Sequence, residues 1–322
     1  MKKKLVFLIK STISVALIIL VFTHIDLAQA WTQFRELSLP FVIASLLFYT
    51  VLQWLSCIRW QVVLKATKYS VPITSLFSSY FVGMFLNIFL PGALGGDVYR
   101  VYKVSQETKD SEVALVSVFL ERFTGLAALS ALAVMGLPPA FKLIGSWDII
   151  LLFFTCVAAL VGGVLLIISP QLLIWTEPIL IKLHLNSVAS RFAKIQLLLR
   201  QFAQHRQALA VSMGLSFLLQ LGIVYYHYLI AQQLNISVSY LELLVFVPII
   251  VVVTLLPISL GGLGLKEGLW VYLFSRIGLT AEQALLLSLT ITLQSWLLSL
   301  PGSIILLFDS AGYRQIKSQL RN

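Results

Sequence analysis

Stretches of about 18 predominantly apolar residues recur along this chain, as in "LLFFTCVAALVGGVLLII" from Leu151 to Ile168. Each is long enough to cross a hydrocarbon core roughly 30 Å thick. Inside hydrocarbon every backbone N–H and C=O must find its partner within the protein, which leaves helices or a closed barrel. Ten-residue alternating strands are absent, so the reading is all-α: a polytopic helical membrane protein. Composition agrees: 59% of residues are hydrophobic and 11% charged, where a soluble domain carries about 25% charge.

Six segments read as full spans, at 5–22, 40–58, 111–135, 149–168, 207–230 and 283–307. Two others, 72–109 and 241–280, are interrupted by the same frame. Leu90 to Gly96 reads L-P-x-x-L-G-G, and so does Leu256 to Gly262, 166 residues later. Proline ends a helix and paired glycines let the backbone turn tightly. The basic residues decide how the interrupted segments run. Lys2 to Lys10, Arg59 to Lys68, Arg100 to Lys109, Lys182 to Arg206 and Arg314 to Arg321 hold eighteen of the 23, whereas 231–240 holds none. All five rich regions are cytoplasmic only if 72–109 enters and returns on the inside and 241–280 does so on the outside. The expected architecture is six full spans plus two re-entrant hairpins, with both termini cytoplasmic. Residues 1–140 and 141–322 then form an inverted repeat within a single membrane domain, and such repeats place broken helices around a substrate near the midplane.

The half-helix after each break exposes amides without intrahelical partners, together a site for an anion such as a lipid phosphate. Gly95, Gly96, Gly261, Gly262 and Gly264 shape the two turns. Asp97 is positioned to cap the first half-helix, and Arg100 and Lys266 align at the 166-residue offset as one cation per half. Glu121 and Arg122 fall near the centre of their span, where an ionisable group costs about 2.5 kcal/mol or more unless it meets a partner or a wet cavity. Neighbours on a helix do not share a face. Glu121 therefore has Arg100 or Lys266 as candidate partners, and Arg122 has Glu267 or a substrate phosphate. Asn87 is a further candidate lining residue.

Other features exclude more than they assign. The net charge of +10 comes without a basic domain or an aromatic-basic motif, so nucleic acid is not an expected partner. Cys57 and Cys156 form no C-x-x-C pair, the four histidines show no ligand spacing, and no P-loop or nucleophile elbow occurs. No cofactor or metal is expected. Lys2 to Lys4 and Ala28-Gln29-Ala30 imitate a secretory signal, but the apolar run is too long and an uncleaved first span is expected. Between 176 and 206, Val188, Phe192, Ile195, Leu199 and Phe202 recur at helical spacing among Arg191, Lys194 and Arg200. This is a basic amphipathic connector suited to anionic inner-leaflet lipids.

"FLPGALGGDVYR", "ERFTGL" at Glu121 to Leu126, and "LPISLGGLGLKEG" together resemble the lysylphosphatidylglycerol synthase transmembrane-region family, also called flippase-like integral membrane proteins. The resemblance spans essentially the whole chain. It implies that Gly95, Gly96, Asp97, Arg100, Glu121, Arg122, Gly261, Gly262, Gly264 and Glu267 occupy motif positions. The family usually has an arginine where Lys266 stands, and a lysine offers no bidentate phosphate fork. Bifunctional members add a soluble aminoacyl-transferase domain, which is not expected in this chain.

The expected function is movement of an anionic or modified phospholipid, or a polyprenyl-phosphate-linked carrier, between leaflets of a cytoplasmic membrane, without catalysis. The alternatives are an intramembrane lipid-modifying enzyme, or a non-transporting partner of an enzyme in a lipid or glycan pathway.

Overall fold

The computed structural model describes residues 37–89, 95–144, 186–254 and 264–309, with scattered positions between 151 and 169. All regular elements among the described residues are helices: α1 Leu39–Ala66, α2 Ile73–Phe89, α3 Gly95–Thr108, α4 Ser111–Ile144, α5 Asn186–Gln204, α6 Arg206–Gln233, α7 Tyr240–Thr254, α8 Leu265–Ser275 and α9 Ala281–Phe308. Among the described residues four stretches are long and apolar enough to cross a membrane: Leu39–Ala66, Ser111–Gly136, Arg206–Gln233 and Ala281–Phe308. At 1.5 Å per residue a 28-residue helix is about 42 Å long, more than the hydrocarbon core needs. The spans expected at 5–22 and 149–168 lie wholly or largely outside the described residues.

The ends of the helices follow from local chemistry. Pro40 sits in the first turn of α1, where its missing N–H costs nothing. Beyond its other end, Lys68 is left-handed (φ 66°), and the Lys68 and Tyr69 amides donate back to the Lys65 and Leu64 carbonyls. Asn235 closes α6 in the same way. Thr280 and Gln283 cap the start of α9 reciprocally.

Each interrupted segment folds as two short helices. In the first, Ser75 near the start of α2 donates to Glu107 near the end of α3 at 3.1 Å, so the chain returns to the level at which it entered. In the second, Phe246 of α7 meets Phe274 of α8 edge-on, with centroids 5.0 Å apart. The packing partners exchange between the halves. α2 lies against α9, and α7 against α4, while α1 and α6 pack on each other. Glycines make two of these approaches possible. A Cβ on Gly96 would lie 2.7 Å from the Cα of Gly83, and one on Gly302 would lie 2.8 Å from the amide nitrogen of Val82. α2 is thus held backbone-to-backbone on two sides, a packing that only the smallest residue permits.

The connector differs from its expected role. Ile195, Leu198, Leu199 and Phe202 of α5 pack into a core with Leu64 of α1 and Val113 and Val116 of α4. Ile195, Leu199 and Phe202 of the stripe read as lipid-facing are covered by protein instead. Two of its cations are engaged too: Lys194 donates to both Asp110 oxygens (2.9 and 2.8 Å) and to Glu112 (3.2 Å), and Arg191 pairs with Glu112 at 3.6 Å.

Candidate functional site

Two polar centres lie inside the apolar bundle, joined by Asn87. The first is an ion-pair network in the first half. Glu121 of α4 is 1% exposed and receives three donors. Arg59 of α1 pairs with its Oε1, Tyr80 of α2 donates to the same oxygen at 2.9 Å, and Arg100 of α3 donates to Oε2 at 3.0 Å. Arg100 also donates to Asp97 Oδ1 at 3.1 Å, and its guanidinium carbon sits 4.1 Å from the ring centroids of both Trp60 and Tyr80. Both terminal nitrogens are bonded to carboxylates and both faces lie against rings, which compensates a desolvated guanidinium. Arg122 leaves α4 on another side and pairs with Asp97 Oδ2. Arg59 reaches Ser216 of α6 at 3.0 Å, so five helices meet here. Three guanidiniums face two carboxylates, leaving one positive charge.

Glu121 therefore meets Arg100, one of its two candidate partners, and Arg122 meets Asp97 rather than Glu267. Asp97 does not cap α3. The amide of Gly96 is accepted by Asn87 Oδ1 at 2.6 Å, which frees the Asp97 carboxylate for the arginines. Gly95 opens the same turn. Arg59 is the residue the sequence reading missed, having been counted among the cytoplasmic loop cations. α1 continues to Ala66, and Arg59 is buried at 4% exposure. Its signal was available: Gln53, Ser56, Arg59 and Trp60 carry a buried polar stripe at helical spacing past the end of the apolar run.

The second centre is a cavity of about 150 Å³ between the first hairpin and the second half, lined by Met84, Asn87 and Ile88 of α2, Lys266 and Glu267 of α8, and Thr292, Ser295 and Trp296 of α9. Lys266 donates to Thr292 Oγ1 at 2.6 Å, and that hydroxyl donates onward to the Ser288 carbonyl. Gly264, at φ 79°, turns the chain into α8 and donates its amide to Glu267 Oε2 at 2.7 Å. Glu267 is 3% exposed, and its other oxygen, Oε1, accepts no hydrogen bond among the described residues. Trp296 is 36% exposed beside the exposed Leu293, Leu297 and Leu300, so the cavity adjoins the lipid-facing surface of α9. Thr292 and Ser295 escaped the sequence reading, although Ser288, Thr292, Ser295 and Ser299 form one hydroxyl stripe at alternating four- and three-residue steps.

Arg100 and Lys266, aligned in sequence, thus sit in unlike surroundings: one buried between two carboxylates and two rings, the other beside a cavity. Gly261 and Gly262 lie outside the described residues. Among the described residues no group of three or more His, Cys, Asp or Glu is arranged to hold a metal.

At the bundle's edge, Asp110 starts α4 by accepting the Val113 amide at 3.1 Å. Partial burial works to raise its carboxyl, but the Lys194 hydrogen bond and the Val113 amide outweigh this and hold it below the usual range. Lys194 is held above the usual amine range, chiefly by its hydrogen bond to Asp110.

The family model described as "Lysylphosphatidylglycerol synthase TM region" matches residues 7–302. Among curated proteins, a UPF0104 membrane protein of Pyrococcus horikoshii is 21% identical over 334 residues, covering 95% of this chain and 97% of the relative. No solved structure matches.

Proposed function

The chain belongs to the lysylphosphatidylglycerol synthase transmembrane-region family, and from that premise we propose that it is a lipid flippase or transporter, not an enzyme. It carries the phosphate-bearing headgroup of an anionic or modified phospholipid, or of a lipid-linked carrier, between the leaflets of the cytoplasmic membrane. One observation carries the reading: a charge-bearing cavity between the hairpin helices, beside the lipid-facing surface of α9. A headgroup there leaves its acyl chains in lipid. Depth supports this. Thr292 lies about 17 Å along α9 from its start, and Asn87 about 21 Å along α2, near the middle of a roughly 30 Å core.

The membrane reading of the hairpins belongs to the same proposal. The Ser75–Glu107 contact supports a first hairpin that returns to the cytoplasmic side. The exchange of α2 onto α9 and α7 onto α4 supports two inverted halves. Lys266 and Asn87 bind the phosphate, while Arg59, Arg100, Asp97, Glu121 and Arg122 hold the first hairpin in register and keep one positive charge nearby.

The test uses the full chain in liposomes with tail-labelled short-chain phosphatidylglycerol, followed leaflet by leaflet through back-extraction with albumin. The protein should accelerate exchange between leaflets, and Lys266→Gln should slow it at least tenfold with melting unchanged. Equal rates with and without protein would refute transport of this lipid. Recovery of chemically altered lipid would favour a modifying enzyme.

A further inference from the structure

The donors and acceptors around the cavity are unequal, and the inequality specifies its ligand, given the headgroup site proposed above. Lys266 has three N–H donors and spends one on Thr292. Asn87 spends its carbonyl oxygen on Gly96, which fixes its orientation and leaves both amide N–H groups. Thr292 accepts from Lys266 and gives its one proton to the Ser288 carbonyl, so it has no donor left for a ligand. Against these donors stands Oε1 of Glu267, a buried carboxylate oxygen without a hydrogen bond among the described residues, on a lining side chain that is 3% exposed; the Ser295 hydroxyl, also on the lining, can donate or accept. A fully deprotonated oxyanion would satisfy Lys266 and Asn87 but would set lone pairs against a buried carboxylate, as costly as any like-charge contact in low dielectric.

Charge points the same way. Lys266 and Glu267 cancel, and the adjoining network of three arginines with Asp97 and Glu121 keeps one positive charge. A monoanion brings the centre to neutrality, whereas a dianion leaves an uncompensated charge inside hydrocarbon. The cavity, about 150 Å³, has room for a phosphate and a few more heavy atoms.

We propose that this cavity selects a monoanionic phosphate that carries its own O–H donor, with Lys266 and Asn87 holding the oxyanion and Glu267 accepting the hydroxyl. Two lipid sources share this chemistry: a singly protonated phosphate monoester, and a phosphodiester whose alcohol bears a nearby hydroxyl, as in a glycerol headgroup.

The experiment measures binding of soluble probes to the full chain in lipid nanodiscs, which separates it from any transport assay. Octyl phosphate and octyl glycerophosphate should bind at least tenfold more tightly than octyl sulfate and octyl methyl phosphate, which lack the donor. Glu267→Gln keeps an acceptor for Gly264 and turns a donor toward the ligand, so sulfate should gain relative to phosphate; an unchanged ratio overturns the proposal. Equal binding of sulfate and phosphate by the unmodified chain also overturns it, whether or not the variant folds. Tightest binding of octyl phosphoethanolamine overturns it as well, by showing that Glu267 takes an ammonium. The two sources part with pH: monoester affinity should fall above about pH 6 as its second proton leaves, while glycerophosphate stays level. Inorganic phosphate binding as tightly as octyl phosphate would support the donor pattern and refute a lipid ligand. Selective binding without accelerated leaflet exchange would likewise spare this inference and defeat the flippase reading.

Discussion

Replacing Glu121 by glutamine should unfold the bundle rather than merely slow it. The carboxylate takes hydrogen bonds from two buried guanidiniums and the Tyr80 hydroxyl. Hydrogen bonds to charged groups contribute about 1.5–3 kcal/mol each, so losing the charge at both arginines costs about 3–6 kcal/mol. Breaking a buried pair gives a similar figure, about 3–5 kcal/mol. The amide nitrogen would also face an arginine N–H, donor against donor. Domains are stable by only about 5–15 kcal/mol, so the variant should accumulate poorly and melt well below the parent. The assay is thermal unfolding in detergent, run as a cycle with Arg59→Gln. The double variant removes one cation with the anion, so it should be less destabilised than the two losses summed, by about 0.5–3 kcal/mol. A Glu121→Gln protein that folds and melts like the parent but no longer moves lipid would refute the reasoning and put Glu121 in the substrate path.

Two further outcomes follow from packing and topology. Gly96→Ala and Gly302→Ala should each cost about 1–3 kcal/mol, because the new methyl meets backbone of α2, which cannot turn aside as a side chain can. Gly214→Ala, whose Cβ meets nothing within 4 Å, should melt like the parent, and equal losses at all three would remove the close-contact explanation. Cysteines placed near Thr67 and Gln106 should label only from the cytoplasmic side and a pair near Asn235 and Thr280 only from outside. Labelling of position 106 from outside with 67 protected would sink the returning hairpin.

Much of this molecule was legible in its letters. Prolines and paired glycines mark the breaks at Leu90 and Leu256, and the described helices stop or start beside both. Glu121 announced a partner because a lone carboxylate has no place in hydrocarbon. Which partner it took was not legible, since Arg59, Tyr80 and Arg100 reach it from three other helices and no spacing encodes such a meeting. Hydropathy alone ended the second span at residue 58 and left Arg59 in a loop, although a buried arginine neutralised by another helix extends a span as well as a leucine does. The connector misled for the opposite reason. A basic amphipathic helix looks the same whether its apolar stripe meets lipid or protein, and Asp110 and Glu112 decide the matter only once folding brings them under Lys194.

The exchange of hairpins between halves bears on how the protein is made. Residues through Arg122 already contain every acid and arginine of the ion-pair network, so its charges can neutralise one another while the second half is still on the ribosome. α2 has no such independence: the glycine that fits its backbone at Phe81 and Val82 is Gly302, in the last described helix. At about 5–20 residues per second, the intervening stretch takes roughly ten seconds to most of a minute to synthesise. During that interval the first hairpin waits in the membrane with one side uncovered, within reach of the insertion machinery, a chaperone or another nascent copy.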